Sequence, residues 1–136
     1  MSAFNDQVIA EFRANGGRVG GMFEGNEHMV IITTTGAKSG RAITNPLVYL
    51  PDGERIVLIA SNGGADRHPA WYHNLVANPE LTVELPTETF TAKAELVTEP
   101  ERTALYDRMV ELMPGFGEYR EKTSRQIPVF AIHRAG

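Results

Sequence analysis

Three stretches of the 136-residue chain concentrate hydroxyls, cations, glycines and aromatic rings. The first is Thr33-Thr-Thr-Gly-Ala-Lys-Ser-Gly-Arg41. Backbone amides in a glycine-containing turn can cradle an anion, and Lys38 and Arg41 add positive charge beside them. The glycine and lysine order of a nucleotide P-loop is absent. A solvated hairpin tip is the plainer reading of the same residues, and spacing alone does not separate the two.

The second stretch runs from Ala60 through Ser61-Asn-Gly-Gly64 and Asp66-Arg-His-Pro69 to Trp71, Tyr72, His73 and Asn74. A strand end, a Gly-Gly turn and a proline-started helix in succession leave backbone amides that favour a negative group. Ser61 stands at the strand end, facing whatever those amides hold. Trp71 reads more simply as a core anchor. His68 and His73 are five apart, so they do not share a helix face, and no carboxylate clusters with them; a metal site is not expected.

The third stretch is Gly115-Phe-Gly-Glu-Tyr-Arg-Glu-Lys-Thr-Ser-Arg-Gln-Ile-Pro128. Phe116 and Tyr119 are three apart, which a helical turn places on one side, where two rings can wall a flat heterocycle. An ordinary connection with its aromatics packed inward fits as well. Ser61 lacks a nucleophile elbow, and no carboxylate pair suggests glycoside hydrolysis. Weak intrinsic catalytic groups beside an anion cradle and an aromatic wall point to chemistry carried by a cofactor.

Strands must position these residues. His28 to Thr35, Leu47 to Leu50, Arg55 to Ala60, Leu81 to Leu85, Thr89 to Val97 and Pro128 to His133 are rich in β-branched or alternating residues. Pro51-Asp-Gly-Glu54 and Pro86-Thr-Glu88 read as hairpin turns. Helices are expected over Pro69 to Ala77, after a capping box at Thr98-Glu-Pro-Glu101, and for a turn or two in Gly117 to Ser124. At the start, Phe4, Val8, Ile9 and Phe12 have helical spacing up to Gly16-Gly17, with Asp6 and Glu11 on the polar face. That helix is expected to pack on the core. The glycine doublets at Gly16-Gly17 and Gly20-Gly21 follow a helix and do not make a dinucleotide fingerprint. Six or so strands joined mainly by hairpins predict an α+β fold, a mostly antiparallel split barrel with flanking helices, in one domain over 1–136.

Composition narrows the function. Hydrophobic residues are 42% and charged residues 22%, ordinary for a globular protein. Thirteen basic residues against seventeen acidic ones leave a net charge of -4, which disfavours a nucleic-acid partner. Cysteine is absent, so disulfides and thiolate chemistry are excluded. No secretory signal or long apolar run is visible, and a cytoplasmic location is expected.

Taken together, TTTGAKSG, NPLVYL-PDG, SNGGADRHPAWYHNLVANP, EPERTALYDRM and YREKTSRQIPVF resemble the deazaflavin-dependent nitroreductase family, whose members bind coenzyme F420 in a split β-barrel related to FMN-binding barrels. The matching stretches run in order from Ile31 to Ile132. The resemblance implies a hydride-transferring oxidoreductase acting on a small acceptor such as a quinone, enone or nitroaromatic. It implies that Lys38, with Ser39, Arg41 and Pro46 nearby, grips the phosphate and oligoglutamate tail, and that Ser61, Asn62, Gly63 and Gly64 line the deazaflavin. Arg67 is a further tail contact, and Ala70, Trp71 and Asn74 border the cofactor. Another basic position of the family, five residues after the lysine, is Ile43 here. Three pocket tyrosines of the best-known nitroreductase type correspond to Met113, Phe116 and Tyr119, so two phenol hydroxyls are gone. Ser61 is expected to polarise the acceptor or bond the ring edge, and Tyr119 or solvent to supply the proton. A non-catalytic deazaflavin carrier, or a barrel holding FMN or haem, is the alternative, and the tail-binding cations favour F420 over FMN. A monomer or homodimer, with peripheral membrane contact if the acceptor is a quinone, completes the expectation.

Overall fold

The computed structural model describes residues 3–16 and 28–135. Gly17, Gly20, Gly21 and the side chain of Phe4 lie outside the described residues. The described residues include four α-helices: α1 (Ala3–Ala14), α2 (Ala70–Ala77), α3 (Glu101–Leu112) and α4 (Gly115–Lys122). Seven strands accompany them: β1 (Met29–Thr35), β2 (Ala42–Val48), β3 (Leu50–Asp52), β4 (Arg55–Ile59), β5 (Glu80–Leu85), β6 (Glu88–Leu96) and β7 (Val129–Arg134). They form one antiparallel sheet in the order β2-β1-β5-β6-β7-β4-β3.

The two edges of this sheet are consecutive in sequence, because Tyr49 alone separates β2 from β3. One bent strand therefore pairs with β1 through its first half and with β4 through its second, and the sheet curls back on itself. This is the expected split barrel, with β2 and β3 joined by a bend rather than by a hairpin. Pro46 sits within β2 opposite Ile31. A proline is tolerated there because β2 is an edge, with no further strand needing its missing N–H.

Period-two alternation divides the core in two. Val30, Ile32, Ile56, Leu58, Val83, Ala92, Phe130 and Ile132 face the barrel interior, where Trp71 and Leu75 from α2 join them. Val57, Ile59, Val129 and Ala131 point outward and are covered by Leu105, Tyr106 and Met109 of α3 and Phe116 of α4. Val8, Ile9 and Phe12 of α1 pack on Met29 and Ile31. The apolar face of α1 is thus buried on the sheet, as expected of a core-packed helix, and is not offered to a lipid surface. Among the described residues no helix is long and apolar enough to cross a membrane.

One local expectation is corrected. The capping box from Thr98 to Glu101 does not form. Pro100 occupies the position before α3 and the peptide bond preceding it is cis. The Glu99 carboxylate instead accepts from the Thr103 amide at 2.9 Å and its hydroxyl at 2.8 Å, and also holds Arg102. An anionic group still satisfies the first turn of the helix, from one residue further along.

Candidate functional site

The turn after β1 is tied to α2 through one buried amide. Asn74, 5% exposed, accepts from the Ala37 N–H at 2.9 Å and donates to the Thr34 hydroxyl at 3.1 Å. Within the turn the Gly36 amide donates to the Arg41 carbonyl at 2.8 Å and the Gly40 amide to the Gly36 carbonyl at 2.9 Å. Ser39 accepts from the Arg41 amide through its hydroxyl at 3.2 Å. These bonds fix the backbone and leave the Lys38 and Arg41 side chains exposed. Asn74 therefore holds the cation-bearing turn in place from within the core.

The second turn leaves β4 at Ala60. Ser61 is 7% exposed, and Asn62–Gly64 forms a single 3₁₀ turn closed by the Gly64 amide on the Ser61 carbonyl at 2.9 Å. Asn62, Gly63 and Gly64 all have positive φ, at 50°, 65° and 86°. At Gly64 the need for glycine is doubled, since a Cβ there would lie 3.1 Å from both Cα and O of Tyr119. The turn and α4 meet through that missing side chain. The Thr123 hydroxyl, just after α4, donates to Asp66 at 2.8 Å.

Two cation populations stand out. Arg13, Arg55, Arg102, Arg108, Arg120 and Arg134 are each paired with a carboxylate. Lys38, Arg41, Arg67, Lys93 and Lys122 are exposed and have no carboxylate partner among the described residues, and the first three lie in or beside the two glycine-containing turns. Positive charge without an internal counter-ion is the donor set that an external polyanion requires.

The remaining expected residues are distributed as follows. Trp71 is buried at the barrel end with its ring 5.9 Å from Phe130, so its bulk belongs to the core, whereas Ala70 is exposed. Met113 and Tyr119 are half-buried. Phe116 is 8% exposed, packs in the outer core and presents its ring edge to Tyr119 at 5.2 Å. Its carbonyl accepts from the buried Tyr106 hydroxyl at 2.6 Å. Pro46 stands apart on the edge strand. Among the described residues no group of His, Asp or Glu side chains is placed to hold a metal.

Arg125, in the third stretch, carries no functional expectation from the sequence. Here its guanidinium donates to the carbonyls of Ala60, Ser61 and Ala65 and to Nδ1 of His68. Residue type gives no signal for a cation bound to main-chain oxygens some sixty positions away.

The family model for F420H(2)-dependent quinone reductases matches residues 6–133. The chain belongs to this family. It is an oxidoreductase that uses coenzyme F420. The F420H(2)-dependent quinone reductase Rv1261c of Mycobacterium tuberculosis is 35% identical over 128 residues, covering 92% of this chain and 86% of that protein. A solved F420-H2 dependent reductase, FDR-A, superposes with a TM-score of 0.72 at 36% identity, covering 78% of this chain and 94% of its own. A chain described as a domain-swapped dimer has the same score and identity, covering 78% of this chain and 80% of its own. The haem storage protein HutZ of Vibrio cholerae, at 16% identity and a TM-score of 0.62 over 94% of this chain and 88% of its own, shares the fold alone. For an F420-dependent member of this family, the exposed cations of the 36–41 turn and Arg67, none with a carboxylate partner among the described residues, fit an acid-tailed cofactor.

Proposed function

We propose that the chain reduces quinones with F420H2, binding the cofactor between the 36–41 turn and the 61–64 turn. The supporting observation is that Lys38, Arg41 and Arg67, in or beside the two turns, are exposed and have no carboxylate partner among the described residues while six other arginines are paired. Bound F420H2 supplies a hydride equivalent, a two-electron reductant. Lys38 and Arg41 hold its anionic tail, and Arg67, which follows the second turn in sequence, adds charge. Ser61 and the amides of Asn62 and Gly63 border the ring, and Ser61 bonds the ring edge or the acceptor.

Tyr119 stands where the turn and α4 touch. Its phenol donates a hydrogen bond to an acceptor oxygen and passes the proton that balances the hydride. Met113 extends that wall, and Phe116 supports Tyr119 from the core. Buried packing behind α4 keeps water from the far side of the wall. With one of three wall positions a tyrosine, the pocket is more apolar than a three-phenol wall, which suits a quinone better than a nitroimidazole.

Anaerobic loss of F420H2 absorbance in the presence of a benzoquinone or naphthoquinone is the test, with an enone and a nitroaromatic alongside. Protein-dependent oxidation by quinones supports the reading. Tight F420H2 binding without turnover on any acceptor favours the carrier alternative instead.

A further inference from the structure

The strand end, the turn and the entry to α2 converge on one cation from another part of the chain. Arg125 Nη2 donates to the Ser61 carbonyl at 2.8 Å and the Ala60 carbonyl at 3.2 Å, and Nε donates to the Ala65 carbonyl at 2.9 Å. Its Nη1 lies 2.9 Å from Nδ1 of His68. A guanidinium can only donate, so Nδ1 must accept and the ring proton sits on Nε2. His68 is thus a neutral imidazole of defined tautomer, stacked on Tyr72 with ring centres 4.2 Å apart. Burial, then Arg125 and then His73, all disfavour its charged form.

A lysine cannot reproduce this arrangement. Four acceptors on three sides of a planar fork require several N–H vectors held at fixed angles, whereas an ammonium is a compact point charge. Among the described residues no carboxylate pairs with Arg125, so its charge is balanced only by carbonyl dipoles beneath the turn. Both features bear on a negative ligand above that turn: the fork sets its shape and the charge adds to its potential.

We propose that Arg125 is a positioning residue for the cofactor-holding turn, tying Ala60, Ser61 and Ala65 to His68 so that Ser61 and its neighbouring amides are set before the cofactor arrives. The inference rests on the reading that this turn borders the deazaflavin. Pre-organisation of this kind raises affinity by removing the ordering cost from the binding step.

The test has two arms on the intact chain. In the first, ¹⁵N NMR of the cofactor-free protein reads the His68 ring. The wild type should show an acceptor-type Nδ1 and a protonated Nε2. Arg125→Lys should lose that pattern while far-UV circular dichroism is retained. In the second, F420 fluorescence titration reads affinity. Arg125→Lys should weaken binding on the order of tenfold, the value of about one hydrogen bond to a charged group. Arg125→Ala should weaken it similarly and recover with millimolar guanidinium but not with methylammonium. If Arg125→Ala does not fold, Arg125→Lys alone decides.

Unchanged F420 affinity in Arg125→Lys, with the His68 signal displaced, would overturn the positioning role and leave the cofactor assignment standing. A wild type that shows the His68 signal yet binds no F420 would overturn the cofactor assignment, and the inference with it.

Discussion

The contact between the 61–64 turn and α4 can be broken by one methyl group. Gly63 and Gly64 are adjacent, and both have positive φ, 65° and 86°. Alanine at either position pays the left-handed penalty of about 1–2 kcal/mol and shares the same entropic gain in the unfolded chain. The surroundings differ. A Cβ on Gly63 meets nothing within 4 Å, whereas one on Gly64 lies 3.1 Å from Tyr119 Cα, 3.1 Å from Tyr119 O and 3.2 Å from Lys122 Cβ. Two of those neighbours are backbone, so α4 must move as a unit. Overpacking of this kind costs about 1–3 kcal/mol more. Each kcal/mol shifts the melting temperature by roughly 3–6 °C in a chain of this size. Urea denaturation of Gly63→Ala, Gly64→Ala and wild type isolates the difference. Gly64→Ala should be the less stable variant by about 1–3 kcal/mol, and its quinone KM should rise because Tyr119 moves with α4. Equal destabilisation by the two variants, or an unmoved KM in Gly64→Ala, would refute the claim that the turn and α4 are fixed by close approach at this glycine.

Three further outcomes follow from the same structure. Asn74→Ala strands the buried Thr34 hydroxyl and frees the Ala37 amide, so stability should fall by about 1–3 kcal/mol and F420 affinity should fall with it, read by melting and by fluorescence titration. Tyr106→Phe removes the buried bond to the Phe116 carbonyl and should cost about 1–3 kcal/mol in urea with F420 affinity unchanged. His68 has a pKa below that of an ordinary histidine because of burial, Arg125 and His73, with Tyr72 stacked on it and Glu99 and Arg102 across the adjoining cavity. A depressed histidine pKa contributes stability that is complete above about pH 6.5 and is lost as pH falls through the folded value. Melting temperature should therefore decline on acidification from that point, and less steeply in His68→Asn, which retains a side-chain acceptor and does not titrate.

Alternation in β6, the apolar runs of β4 and β7 and the two hairpin turns made most of the barrel legible, because strand patterning and turn chemistry are local properties. The continuity of β2 into β3 was not, since Asn45 and Pro46 weaken the strand pattern and only pairing with β1 and then β4 holds the bent strand. At the start of α3 the Glu99 carboxylate, not the Thr98 hydroxyl, meets the Thr103 amide, with Pro100 directly before the helix. At the site, the Lys38 turn and the Ser61–Gly64 turn were legible from glycines and charge. Trp71 was correctly read as a core anchor from its size. The bonds that join the two turns to the rest were not legible: Asn74 reaches back to Thr34 and Ala37, and Arg125 reaches back to carbonyls from Ala60 to Ala65. Both depend on tertiary proximity between segments far apart in sequence, and a main-chain acceptor has no residue type by which to recognise it.

On this reading Lys38 and Arg41 bind the acidic tail of F420 while the second turn borders its ring. Side-by-side fluorescence titration with F420, with its ring portion lacking phosphate and glutamates, and with FMN tests it most directly. F420 should bind most tightly, its advantage over the ring portion should shrink with added salt, and Lys38→Ala with Arg41→Ala should remove most of that advantage. Equal affinity for F420 and the bare ring in the wild type, or tight FMN binding with none of F420, would contradict the assignment.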